Sequence, residues 1–355
     1  MKMKNKNLHV IYDLLDKFVE ESKKLVYKHP YLVVITMHEY FRNIWPNDPF
    51  INEKLADDKL ESISLCLKNC LNLLSSAEKL GSYFTSKELL TKFKNLDEKM
   101  EKDNLGTQTV YGKLWESLDD DYLIEKTKNI LVNLFEKNGM DISTLKDKTV
   151  LDMGCGSGRF TIAFAQLGVK NVIGVDLGEV GIEIGEKRSK DLNLKNIQFI
   201  KKNILELPFE DQTFDFVFSK GVLHHTGQLV KGLNEFQRVL KSGGNGFLYL
   251  YGSGGLFWNS RKKMREVMKN IPMNYTLRVL DVIGIPSQRY IFADSWYVPI
   301  EEHVERKWLE EFLLKKFSKI TKVDHSGELN VHPMSDLPNS NELWGDGELR
   351  YFLVK

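Results

Sequence analysis

The run Val150-Leu-Asp-Met-Gly-Cys-Gly-Ser-Gly-Arg-Phe160 constrains the fold more than any other part of the chain. A short apolar segment enters a loop with glycine at every second position, and RFTIAFAQLG follows with helical spacing. Such glycines let backbone turn tightly and approach a ligand closely. A dinucleotide loop of the form G-x-G-x-x-G does not fit. Counted from Gly154 its last position is Arg159, and counted from Gly156 it is Thr161. A phosphate-binding Walker loop is excluded as well, because no Gly-Lys-Ser/Thr closes the motif. The pattern present is G-x-G-x-G, with an acid, Asp152, two residues before the first glycine.

The surroundings extend this unit. TVLDMG, NVIGVDLG, IQFIKKNI, FDFVFSKG and NGFLYLYG read as successive strands, separated by helical RFTIAFAQLG, VGIEIGEKRSKDL and LVKGLNEFQRVLKSGG. Strand alternating with helix at this spacing predicts a parallel sheet covered on both faces. Asp176 ends the second strand, where an acid accepts both ribose hydroxyls in nucleotide-binding βαβ units. After the fifth strand the alternation breaks. Residues 252–300 form a long aromatic insertion, helical at LFWNSRKKMREVMKNI. EEHVERKWLEEFLLKKF then reads as amphipathic helix, and FSKITKVDH and ELRYFLVK as two last strands.

A chain of 355 residues has room for two domains, or for one large domain with an appendage. Residues 1–105 read as a helical region that caps the pocket or forms a dimer interface. Pro30, Pro46 and Pro49 break its pattern, and a polar linker, LDEKMEKDNLGTQ, ends it. Residues 106–355 read as the α/β domain, with 252–300 as a substrate lid. The net charge of +1 gives no global attraction to nucleic acid. The N-terminus lacks the apolar stretch of a secretory signal, and no transmembrane span is expected. Three cysteines, Cys66, Cys70 and Cys155, build no disulfide framework, which fits a cytoplasmic protein. Cys66 and Cys70 share a helix face and read as core; no metal site is expected.

Five segments, taken in order, resemble the motifs of class I S-adenosylmethionine (SAM)-dependent methyltransferases. They are Leu151-Asp-Met-Gly-Cys-Gly-Ser-Gly, Gly174-Val-Asp-Leu, Leu207-Pro-Phe-Glu-Asp-Gln-Thr-Phe-Asp215, Gly221-Val-Leu-His-His-Thr226 and Arg238-Val-Leu-Lys-Ser-Gly-Gly244. The resemblance covers about residues 110 to 250 and is of the small-molecule type, similar to ubiquinone-biosynthesis C-methyltransferases. It implies a Rossmann-like, seven-stranded sheet of order 3-2-1-4-5-7-6 flanked by helices. It also implies roles at matching positions. Gly154, Cys155, Gly156 and Gly158 cradle the methionine part of SAM, and Asp176 binds the ribose. Leu177 flanks the adenine, Ile204 offers its backbone N–H to the ring, and Ser219 lies near the methionine end. The acid that contacts the adenine amine in this family is replaced by Asn203, whose amide oxygen still accepts a hydrogen bond. SAM carries an ammonium, a carboxylate and a sulfonium but no phosphate. A carboxylate such as Asp152 therefore suits its ammonium, directly or through water.

Methyl transfer from a sulfonium asks mainly for alignment of the acceptor and exclusion of water. A base is needed only where the acceptor is protonated, and His224 and His225 are the candidates. Tyr111 and Trp115 precede the first strand and offer aromatic faces to the sulfonium. In the insertion, Phe257, Trp258, Tyr290, Trp296 and Tyr297 are the candidate substrate wall, with Arg261 as a polar contact. The expected partner is a small-molecule acceptor, at an O, N, S or C atom. An RNA or protein acceptor, and a SAM-binding protein without catalysis, stay open as alternatives.

Overall fold

The computed structural model describes residues 2–44, 59–77, 120–284, 294–323, 325–327 and 340–355. In chain order, helices α1 (Lys2–Leu25), α2 (Pro30–Ile44), α3 (Lys59–Ser75) and α4 (Asp120–Glu136) precede the sheet. Then follow β1 (Thr149–Met153), α5 (Arg159–Gln166), β2 (Asn171–Asp176), α6 (Glu179–Asp191), β3 (Ile197–Lys201) and β4 (Phe214–Lys220). A 3-10 turn (Leu223–His225), α7 (Leu229–Val239) and β5 (Leu240–Tyr251) come next. The chain continues through α8 (Gly255–Met268), α9 (Met273–Val282), α10 (Arg306–Leu314), β6 (Lys319–Lys322), α11 (Ser340–Trp344) and β7 (Glu348–Val354).

The chain divides into two compact units. One comprises Gly106–Ser253, Pro299–Met334 and Asp346–Lys355 and holds a seven-stranded sheet of order β3-β2-β1-β4-β5-β7-β6, as the resemblance implied. The first five strands in that order are parallel, and β7 runs antiparallel to both β5 and β6. Both faces are covered, so side chains alternate between two cores. On one face Phe218, Phe247 and Phe352 stand side by side across β4, β5 and β7, with ring centroids 5.1 and 5.4 Å apart, and Phe135 of α4 and Phe164 of α5 pack onto this row. On the other face Val217, Leu248 and Leu353 meet Leu233 and Phe236 of α7 and Leu309 and Leu313 of α10.

The other unit comprises Met1–Leu105, Gly254–Val298 and Ser335–Gly345 and is helical where it is described. Ile11, Leu15, Phe18 and Val19 of α1 are buried at helical spacing. Pro30, expected to break the pattern, instead begins α2. A proline is tolerated at the first helical position, where its missing N–H has no partner to lose. The insertion packs with the N-terminal helices inside this unit: Phe41 of α2 lies 5.1 Å from the ring of Trp296, and Tyr40 shares a 2.9 Å hydrogen bond with Ser260 of α8.

Two boundaries differ from the sequence reading. Leu240–Gly244, read as the end of a helix, is the start of β5: Phe214 pairs with Leu240, and Lys355 donates to the Gly244 carbonyl. Glu301–Glu305, read as helix, is extended instead. Its backbone amides reach outward, Glu302 to the His224 carbonyl (2.8 Å) and Val304 to the Tyr251 carbonyl (3.1 Å).

Candidate functional site

The glycine loop connects β1 to α5 and is docked on the end of β2. The amides of Gly154 and Cys155 both donate to the Val175 carbonyl, at 2.8 and 3.0 Å. Gly154, Gly156 and Gly158 have φ of 87°, 54° and 76°, the left-handed region where a Cβ is penalised. Space is also short. A Cβ on Gly154 would lie 2.3 Å from Val222, and one on Gly158 would lie 2.4 Å from the ring of Phe199. Gly181 of α6 must also be glycine, since its Cβ would come 2.6 Å from the Gly156 carbonyl oxygen.

Two carboxylates hold this loop. Asp176 accepts from the Gly156 amide at 2.9 Å through one oxygen and from the Gly178 amide at 2.7 Å through the other. Burial pushes its carboxyl above the usual carboxylate range, and the backbone amides pull against that shift. Each oxygen retains a second acceptor site for a ribose hydroxyl. Asp152 lies beneath the loop, 3% exposed, and accepts from the Thr161 hydroxyl at 2.7 Å. Burial pushes Asp152 up to about 7; the Thr161 bond opposes this and the neighbouring Asp176 adds to it. Burial likewise raises the Cys155 thiol. Thr161 was not singled out from the sequence, where a threonine one turn into a helix carries no signal of its own.

Around the loop, Leu177 is 45% exposed at the end of β2, an apolar surface left open for a ring to cover. Asn203 turns its amide oxygen onto the Leu205 amide at 3.0 Å, a local turn that orients the side chain. Ile204 is buried in the core beside it. Ser219 at the end of β4 and Ser157 in the loop are both buried, and neither hydroxyl has a hydrogen-bond partner among the described residues. Buried hydroxyls are nearly always paired, so such orphans mark places where a ligand completes the bonding. The paired acid at the end of β2, the left-handed glycines and the orphan hydroxyls fit an adenosyl group joined to an amino acid.

Arg238 explains why two distant motifs occur together. It donates to the carbonyls of Phe209 (2.7 Å) and Leu207 (3.1 Å) and to Asp211, and pairs with Glu235 on its own helix. The segment after β3 is thereby fixed beside α7.

His224 and His225 sit in the 3-10 turn after β4. His224 is fully buried, its ring 3.9 Å from that of Tyr251. His225 is bonded through Nδ1 to the Ile300 carbonyl at 2.7 Å. A carbonyl only accepts, so Nδ1 carries the proton, and in the neutral ring Nε2 is the basic nitrogen. The extended segment 299–305 is thus pinned to the turn at three points: Ile300, Glu302 and, through Tyr251, Val304. His303 on this segment bonds the Gly252 carbonyl and Glu301, each at 2.9 Å.

The insertion residues lie in the helical unit. Phe257, Trp258, Arg261 and Trp296 are buried there, with Phe257 and Trp296 against Phe41, and Arg261 over the Trp258 ring at 5.7 Å. Tyr297 shares a hydrogen bond with Thr276 of α9. Phe257, Trp258, Arg261 and Trp296 belong to that unit's interior, and Tyr297 is half-buried. Tyr111, Trp115 and Tyr290 lie outside the described residues. Cys70 is buried in α3 and Cys66 half-buried, and among the described residues no His, Cys, Asp or Glu cluster has metal-binding geometry.

Comparison with known proteins agrees with the sequence resemblance. Residues 144–282 match the model of a methyltransferase domain. The chain is 35% identical over 113 residues to the demethylmenaquinone methyltransferase of Bacillus cereus (strain ATCC 10987 / NRS 248), covering 31% of this chain and 48% of that protein. It is 32% identical over 139 residues to the demethylmenaquinone methyltransferase of Staphylococcus carnosus (strain TM300), covering 37% and 56%. The chain therefore spans about half the length of these relatives. Among solved structures, it is similar to a 1,6-didemethyltoxoflavin-N1-methyltransferase of Burkholderia thailandensis with bound S-adenosylhomocysteine, at 16% identity and a TM-score of 0.38, over 68% of this chain and 80% of that one. Over its matched segment the chain is similar to methyltransferases.

Proposed function

We propose that this chain transfers a methyl group from SAM to a small-molecule acceptor. The observation that carries the reading is the left-handed glycine loop, tied by Asp176 to the carboxyl end of β2 in a sheet of order 3-2-1-4-5-7-6. Ligands of open α/β sheets bind at that end of the strands.

SAM supplies an activated methyl on its sulfonium. The chain's own part is to hold and align. Asp176 accepts the ribose hydroxyls while keeping the loop in place. Leu177, Asn203 and Ile204 receive the adenine, and Gly154, Cys155, Gly156 and Gly158 leave room for the methionine part. The hydroxyls of Ser157 and Ser219 bond that end, and Asp152 offsets its ammonium from below. In this reading Nε2 of His225 is the candidate base, because Nδ1 is committed to Ile300, and His224 packs the turn.

The relatives are named for demethylmenaquinone, which makes quinone-type aromatics the first acceptors to try. No helix among the described residues is long and apolar enough to cross a membrane. With the near-neutral charge, this supports a cytoplasmic enzyme without a nucleic-acid partner. We also propose a capping or dimer-forming role for residues 1–105 and a catalytic role for residues 106–355. Incubation of the protein with methyl-labelled SAM and metabolite extract tests the function. Label in a small-molecule fraction supports it. Label only in RNA or protein, or in nothing while SAM still binds, replaces it with one of the other readings.

A further inference from the structure

In the neutral ring, Nε2 of His225 can accept a proton only while the ring's own proton sits on Nδ1. The Ile300 carbonyl, 2.7 Å away, keeps it there. That carbonyl belongs to the peptide bond between Ile300 and Glu301, so whatever fixes Glu301 also fixes the acceptor. The Glu301 side chain is 2% exposed, and its Oε1 meets Nε2 of His303 at 2.9 Å. Nδ1 of the same ring faces the Gly252 carbonyl, also at 2.9 Å. A carbonyl only accepts, so Nδ1 of His303 carries a proton. Its Nε2 then bonds Glu301 through a second proton, held between ring and carboxyl. Gly252 gives this ring a firm footing just beyond the paired ends of β5 and β7. Its amide donates to the Gly347 carbonyl at 2.8 Å, and a Cβ on Gly252 would collide with that same oxygen. A line of contacts thus runs from the end of the sheet through Gly252, His303, Glu301 and Ile300 to His225, all inside one compact unit.

We propose that Glu301 and His303 are positioning residues for His225: together they clamp the Ile300 carbonyl on Nδ1 and so keep the proton off Nε2. This rests on the methyl-transfer reading above, in which that nitrogen is the base. Neither side chain acts on the reacting atoms; both act through His225. The amide bonds of Glu302 and Val304 also hold the segment, but they sit on later peptides. The Glu301–His303 pair is the anchor next to the Ile300 carbonyl. In a ring with two distinct nitrogens, the partner of one nitrogen decides what the other can do.

The test is nitrogen–proton correlation NMR of the full chain, isotope-labelled at its histidines, with His225→Asn identifying the His225 signals. In the wild type the two His225 nitrogens should read as one protonated, Nδ1, and one bare. In Glu301→Ala the Ile300 carbonyl is released, the proton exchanges between the nitrogens, and their signals should move toward each other. His303→Ala should do the same. Glu301→Gln is the rescue: its amide donates to the bare Nε2 of a neutral His303, which rebuilds the bond and should restore the wild-type His225 signals. Circular dichroism checks that each variant is folded. A merely structural pair would lower the melting temperature and leave the His225 signals in place. That result overturns the proposal, as does a wild-type His225 without its proton on Nδ1, or a folded Glu301→Gln that behaves like the alanine variant. SAM is titrated separately by calorimetry, and Glu301→Ala should bind it as the wild type does. The His225 signature without any SAM binding keeps the clamp and removes the methyl-transfer reading, so the two fail separately.

Discussion

Oδ2 of Asp176 accepts the backbone N–H of Gly156 at 2.9 Å, which ties the end of β2 to the crown of the glycine loop. One side chain thus shapes the cradle and, in the proposed function, receives the ribose.

Asp176→Ala removes both roles. SAM affinity should fall by on the order of 1.5–3 kcal/mol, the value of a hydrogen bond to a charged group, or roughly tenfold to a hundredfold. Asp176→Asn keeps one acceptor oxygen and should fall between. Calorimetry reads both, and an unchanged affinity in the alanine variant would remove Asp176 from the site.

Gly158→Ala should destabilise the fold itself. The left-handed φ of 76° costs a non-glycine residue roughly 1–2 kcal/mol, and the new methyl meets the Phe199 ring, adding about 1–3 kcal/mol. Urea unfolding should show the sum, and Phe199→Leu in the same chain should recover the crowding part. A loss below about 1 kcal/mol would mean the loop is not wedged as described.

Asp152 makes a pH prediction. Its carboxyl is pushed up to about 7 when folded and titrates near 3.8 when unfolded. Between those values the unfolded chain has lost a proton that the folded one keeps, so stability falls as pH rises from about 4 to 7 and then levels. Asp152→Asn removes that slope, on the order of a few kcal/mol across the window. Melting curves from pH 4 to 8 should show the variant gaining on the wild type as pH rises. A constant gap between them would contradict the burial of an ionisable Asp152.

The parts of this account that were legible in the sequence are local. The loop glycines, Asp152 and Asp176 announce themselves because a turn and a strand end need those residue types at that spacing. The strand order came from the family resemblance; periodicity alone does not give it. What was not legible depends on partners far along the chain. Pro30 looks like a breaker until its place at the start of α2 is seen. Glu301–Glu305 has helical composition, yet its amides are claimed by His224 and Tyr251. Phe257 and Trp296 pack against Phe41, more than 200 residues earlier in the chain, a pairing that no local pattern announces.

The central claim is that the glycine loop and Asp176 form a SAM cradle. Calorimetric titration of the purified chain with SAM, S-adenosylhomocysteine and NAD tests it most directly. The account predicts binding of the two sulfur compounds in the micromolar range and none of NAD, whose pyrophosphate finds no G-x-G-x-x-G loop. Absence of binding by both sulfur compounds, or binding of NAD in their place, would contradict it.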